Sequence, residues 1–362
     1  MSTANEQGAI HGNDLGRHRR RGGRSGAALI CRALLLSLIA ACGSGCPSSG
    51  APSPGSAPVD VGDGPYTIVT TTAMIADIAA EVAGDRARVQ SLMGTGVDPH
   101  LYRPTTSDTT KLMNADVVFY TGLLLEGGME EVLKSAGDSG KPVYAVTQGI
   151  DEADLIVSEE FDGHPDPHVW GDVSLWSASA GYIAEMLIEY DPEHADEYRD
   201  NFERYRAELA ELDGYVREVI ESIPEPKRNL VTAHDAFGYF SRAYGIPVRS
   251  VLGITTESEA GVDDINQLVD FLVENEVPAV FVESSVNERN IDAVIAGAED
   301  RGWTVRRGGT LFSDAMGAPE TYEGTYIGMI DHNATLIARA LGGSAPESGF
   351  RGKLSHAANN TE

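Results

Sequence analysis

Three histidines stand where a chain can hold a ligand still. His100 lies in Gly94-Thr-Gly-Val-Asp-Pro-His-Leu-Tyr-Arg-Pro104, a loop that follows a β-branched run through Val89 to Leu92. Gly94 and Gly96 allow a tight exit from that strand, and Pro99 and Pro104 restrict the backbone on either side of the imidazole. His168 also follows Asp-Pro, within Asp162-Gly-His-Pro-Asp-Pro-His-Val-Trp-Gly-Asp172. His234 comes directly after Arg228-Asn-Leu-Val-Thr-Ala233, a strand pattern. A neutral imidazole on a stiff junction is preorganised to ligate a metal. Asp314 and Glu283 also fall just past strand patterns, where a carboxylate serves as ligand, helix cap or salt-bridge partner; the residues alone leave those three roles open. His164 sits in an acidic, loop-like stretch and reads as solvent-exposed, while His194, His332 and His356 read as surface or structural.

Three imidazoles and a carboxylate suit a borderline cation such as zinc and tolerate manganese or ferrous iron. Four protein ligands fill a tetrahedron and leave no open position for a substrate, which argues against a hydrolytic metalloenzyme. The chain also lacks H-E-x-x-H, G-x-S-x-G and P-loop motifs. Binding without catalysis is the expectation.

Two of the three histidines precede one long helical pattern and the third follows it. Tyr198, Phe202, Tyr205, Leu209, Leu212, Val216 and Val219 recur every three or four residues, giving an unbroken apolar stripe. Asp191 reads as its N-cap, Pro192 suits its first turn, and Pro224 and Pro226 stop it. Gly214 is the one interior residue that clearly weakens it. On each side, strand patterns alternate with helix patterns, which implies parallel sheets with right-handed crossovers. The fold class expected is α/β: two lobes, each a mostly parallel sheet flanked by helices, joined by one long rigid helix. The expected divisions are an N-terminal lobe over residues 65–190, the spine helix over 191–223 and a C-terminal lobe over 224–343. A frayed tail follows over 344–362. Strands are expected at Ala279 to Glu283 and Trp303 to Arg306, with 308–317 as a loop. In such sheets ligands collect beyond the carboxyl ends of strands, where the histidines lie.

The first 41 residues read as an export signal. Five arginines between Arg17 and Arg24 precede an apolar stretch, Ala27 to Ala41, too short for a stable span. It ends Ile39-Ala-Ala-Cys42, which resembles a bacterial lipobox, so Cys42 is the candidate lipidated N-terminus. Residues 42–64 are rich in Gly, Ser, Pro and Ala and read as a flexible tether. Cys31 leaves with the signal and Cys46 lies in the tether, so the folded body has neither a disulfide framework nor a thiolate zinc site. A net charge of −28, from 55 acidic and 27 basic residues, argues against nucleic acid and anionic substrates and favours cations only weakly.

Taken together, these motifs resemble the metal-binding receptors of bacterial ABC importers for zinc and manganese, the group with a long helix between two lobes. The resemblance covers roughly residues 66 to 343. It rests on Gly-Val-Asp-Pro-His100-Leu-Tyr-Arg-Pro, Asp-Pro-His168-Val-Trp, Ala-His234-Asp-Ala-Phe-Gly-Tyr-Phe-Ser-Arg-Ala-Tyr-Gly and Gly-Gly-Thr-Leu-Phe-Ser-Asp314. It implies His100, His168, His234 and Asp314 as metal ligands and places Glu283 near the site but outside the ligand set. The segment Thr255 to Gly261 is implied to lie close to the cleft. It further implies an exported, monomeric lipoprotein, anchored through Cys42 on the periplasmic or extracellular face, that delivers zinc or manganese to a permease. Iron is a third cargo. Manganese-selective relatives often carry a carboxylate where this chain has His234, so the set leans to zinc. Zinc-dedicated members often have a histidine-rich loop, of which only His164 remains here. A metal-containing adhesin and a metallohydrolase are the alternatives.

Overall fold

The computed structural model describes residues 64–355; the export signal, Cys42, the other cysteines and His356 lie outside the described residues. The first sheet is built from β1 (Tyr66–Thr70), β2 (Ala87–Ser91), β3 (Val117–Tyr120) and β4 (Val143–Ala145), in the order β2-β1-β3-β4 with every pair parallel. Helices α1 (Ala73–Ala83), α2 (Thr106–Asn114) and α3 (Glu130–Asp138) make its crossovers. Adjacent residues of β1 serve both faces. Ile68 points into the large central core and Val69 into a smaller one with Leu112, Val118 and Leu133. A strand covered on both sides has no polar face to alternate with, hence its continuous apolar character.

The second half repeats the principle with β5 (Leu230–Thr232) parallel to β6 (Val248–Ser250) and β7 (Ala279–Glu283) parallel to β8 (Arg306–Leu311). β5 runs beside β7. Helices α6 (Gly238–Tyr244), α7 (Val262–Glu274) and α8 (Arg289–Asp300) lie between these strands in the chain. β8 differs from the expectation. The strand extends over Gly308-Gly-Thr-Leu311, a segment that reads as a loop. A Cβ at Gly308 would collide with the Phe281 ring, and one at Gly309 with Leu336; Gly309 also has φ +126°. Glycine therefore lets this strand press against β7 and the final helix, with a register shift between Val280 and Phe281.

The long helix, α5 (Ala195–Glu221), is preceded by a 3₁₀ turn over Pro192–His194. Its 27 residues span roughly 40 Å. Every residue of the expected stripe except Phe202 is buried. Phe202 packs partly buried at the core edge, its ring against Gly181. The expected cap is a different contact. Asp191 does not bond the first-turn amides of α5; its buried carboxylate accepts from the Tyr198 hydroxyl at 2.7 Å and from His194 Nδ1 at 2.9 Å, 3.6 Å from Arg86 Nη2. α5 packs against α1 and α4 (Val173–Tyr190) from the first half, and against α6 and α9 (Tyr326–Ala340) from the second. One apolar cluster consequently runs through both halves, from Ile68 and Trp176 through Leu209 and Leu212 to Phe281 and Tyr326. Residues 344–355 pack rather than fray. Phe350 and Leu354 are buried, and Asp331 accepts the Phe350 amide at 2.9 Å. No described helix is long and apolar enough to cross a membrane.

Candidate metal centre

Each candidate ligand sits where a strand or turn ends. His100 lies in the connection between β2 and α2, and His234 two residues past β5. Asp314 follows β8 by three residues, and His168 starts the 3₁₀ turn that leads into α4. The two Asp-Pro-His turns share one local device. Asp98 Oδ1 accepts the His100 amide at 2.9 Å, and Asp166 Oδ1 accepts the His168 amide at 2.9 Å. An Asp side chain folded back on the backbone two residues on, with proline between, fixes the ligand's main chain before any metal arrives.

The structure brings the four together. One ligand atom from each of His100, His168, His234 and Asp314 lies within 4.8 Å of all the others. His100 Nε2 is 3.2 Å from His168 Nε2 and 3.9 Å from Asp314 Oδ2. Asp314 Oδ1 is 3.4 Å from His168 Nε2, and its Oδ2 is 3.1 Å from His234 Nε2. All four residues are buried. Even so, His234 Nε2 and both Asp314 oxygens are buried without a hydrogen-bond partner. Buried polar atoms left without a well-formed hydrogen bond are costly to desolvate unless a cation satisfies them.

Surrounding groups set the tautomers. Asp166 Oδ1 accepts from His168 Nδ1 at 2.7 Å, and Glu283 Oε2 accepts from His234 Nδ1. Each carboxylate takes the far ring nitrogen and turns Nε2 toward the centre, the arrangement that orients imidazoles on metals. Glu283 does more: its Oε1 accepts the amides of Ala233 and His234 at 2.7 and 2.8 Å, joining the ends of β5 and β7. Trp170 spans the halves; its indole N–H donates to Ser313 O at 2.9 Å, and its ring meets His168 edge-on.

Charge follows from this packing. Burial pushes His100 down to about 3, only partly countered by Asp314. For His168 burial also opposes protonation, but Asp166 and Asp314 outweigh it and raise the imidazole to about 9. Asp314 and Glu283 likewise hold His234 well above the ordinary range against its burial. The Asp314 carboxyl, resisted by burial, is kept well below the carboxylate range by His234 and His168. The buried centre thus gathers groups whose proton affinities are pulled apart by burial and by one another.

Glu283 takes the place expected of it, beside the four candidate ligands and bonded to His234. Thr256, in the segment expected near the cleft, donates its hydroxyl to Asp98. His164 is exposed and away from the centre, with its ring against Phe161. His332 is buried and structural, bonded to Thr310 O at 2.9 Å. The partner of His168, Asp166, escaped the sequence reading. The signal lay in the Asp-Pro-His repeat itself, but only one of its two copies reaches the imidazole.

Comparison with known proteins gives one consistent answer. Residues 68–340 match the family model described as zinc-uptake complex component A, periplasmic. The chain is 47% identical over 274 residues to the manganese-binding lipoprotein MntA of Bacillus subtilis, covering 76% of this chain and 89% of that one. It is 44% identical over 279 residues to the zinc-binding protein TroA of Treponema pallidum, covering 77% and 90%. The solved structure of the periplasmic zinc-binding TroA superposes with a TM-score of 0.74, over 77% of this chain and 99% of that one. The chain therefore belongs to the zinc-uptake complex component A family, the metal-binding substrate-binding proteins of ABC importers.

Proposed function

We propose that the chain captures a divalent transition metal outside the cytoplasmic membrane, between its two lobes, and hands it to the permease of an ABC importer. His100, His168, His234 and Asp314 are the ligands. Zinc is the favoured cargo because three imidazoles and one carboxylate suit a tetrahedral borderline cation. Manganese comes next, because the similar MntA is a manganese-binding lipoprotein, and ferrous iron third. The observation that carries this reading is the convergence of these donors within 4.8 Å, with His234 Nε2 and both Asp314 oxygens unpartnered.

In the same reading, export ends with lipid attachment at Cys42, and residues 42–64 tether a monomeric receptor to the membrane. Residues 65–190 and 224–343 form its lobes, with the helix of 191–223 as their spine. The lipobox spacing and the family's lipoprotein members support the anchor. Mass spectrometry of the mature N-terminus tests it; an unmodified residue there removes the anchor from the account.

The decisive experiment is competition between the purified protein and a chromophoric chelator for zinc and for manganese. His234→Ala should lose affinity by orders of magnitude while thermal unfolding stays cooperative. Unchanged affinity in that variant would overturn the ligand assignment.

A further inference from the structure

The loop that carries His100 is tied to the opposite half of the chain by side chains. Thr95 Oγ1 donates to Gly317 O at 3.1 Å, three residues beyond Asp314. Asp98 makes the second tie. Its Oδ2 accepts the Thr256 hydroxyl, while its Oδ1 accepts the His100 amide at 2.9 Å and the Leu101 amide at 3.4 Å. A single carboxylate thus joins the backbone of one ligand to the 252–261 segment of the other lobe. The exposed pair Arg103–Glu257, at 3.7 Å, adds a third link, but two solvated charges contribute little.

This loop also reaches the solvent. His100 is 4% exposed and the next residue, Leu101, 51%. Outside it lies a cleft of about 570 Å³ whose walls include Asp98, Leu101, Thr256, Ser285, Asn287 and Arg289. Both partners of the Asp98–Thr256 contact line this cleft. Along α5 the halves share one continuous apolar core.

We propose that Thr256 is a positioning residue that sets the rate of metal release. Its hydroxyl latches Asp98, and through Asp98 the backbone of His100, across the lobes; breaking the latch lets the His100 loop lift and the metal leave by the adjoining cleft. Thr256 touches no ligand, so its loss should change how fast the metal leaves and not how it is held. The proposal rests on the metal-receptor reading above.

The test is release of zinc from loaded protein into excess chelator, followed by stopped flow. Thr256→Val removes the hydroxyl at nearly constant volume and should release zinc about ten-fold faster, as expected for one lost hydrogen bond to a carboxylate. Thr256→Ser restores the donor and should return to within about two-fold of the parent rate. The absorption of the cobalt-loaded Thr256→Val protein should match the parent, because the four ligands are unchanged. Should the valine variant fail to fold, Thr256→Ala at this half-exposed position breaks the same bond. Unmodified protein that binds neither zinc nor manganese overturns the receptor reading and the latch with it. Tight binding by the parent with an unchanged release rate in Thr256→Val, or equally fast release from Thr256→Ser, overturns the latch alone.

Discussion

His168 Nδ1 donates to Asp166 Oδ1 at 2.7 Å, across a turn locked by Pro167. The same oxygen accepts the His168 amide at 2.9 Å, so one carboxylate fixes both the main chain and the ring of this residue. Asp166→Ala should weaken zinc binding by about 10- to 100-fold, the usual cost of losing such a partner. Asp166→Asn keeps an acceptor and should fall between. Chelator competition measures both; an alanine variant of parent affinity would show that the ring is oriented by other contacts.

Metal affinity should depend on pH over a higher range than an ordinary imidazole gives. His168 is raised to about 9, above its ordinary 6.5, so the metal must displace a proton from it at neutral pH. Affinity should therefore decline steadily as pH falls from about 9. Titration calorimetry at pH 7.5 in buffers of different ionisation enthalpy should report net proton release; no buffer dependence would contradict a protonated centre. For metal-free stability the sign is opposite. A raised folded pKa contributes stability that is fully present below 6.5 and lost as pH rises through about 9. His100, lowered to about 3, acts the other way, its contribution present above 6.5 and fading as pH falls toward 3. The melting temperature of chelator-treated protein across pH should show a decline on both sides.

Trp170→Phe keeps an aromatic ring against His168 but leaves Ser313 O without its donor. A buried carbonyl stripped of its partner costs about 1–3 kcal/mol. Denaturant unfolding should show that loss, and zinc affinity should fall with it, because Ser313 precedes Asp314. If stability drops while affinity holds, the indole contact braces the fold without placing the ligand.

Gly214 lies exposed in the last third of α5, and a Cβ there meets nothing within 4 Å. Gly214→Ala should raise stability by about 0.5–1 kcal/mol with zinc affinity unchanged. A release rate slowed by the same substitution would show that α5 bends at this point when metal leaves.

Much of the architecture was legible because its causes are local. The α5 stripe and the strand ends before His100 and His234 follow from near-neighbour chemistry. The four candidate ligands could be picked out together only through the family motifs, since spacing alone left Asp314 and Glu283 equivalent. Tertiary structure separated them: Glu283 bonds the His234 ring and two amides, while both Asp314 oxygens face the centre unpartnered. The chain order likewise dictates two Asp-Pro-His turns with the same amide contact. Only packing decided that Asp166 turns to an imidazole while Asp98 reaches across to Thr256. Asp191 and Gly308-Gly309 make the same point. One gave up the helix end for Tyr198 and His194, the other became strand against Phe281 and Leu336. A turn is determined by the residues that form it, but a carboxylate's partner depends on what a distant segment brings within 3 Å.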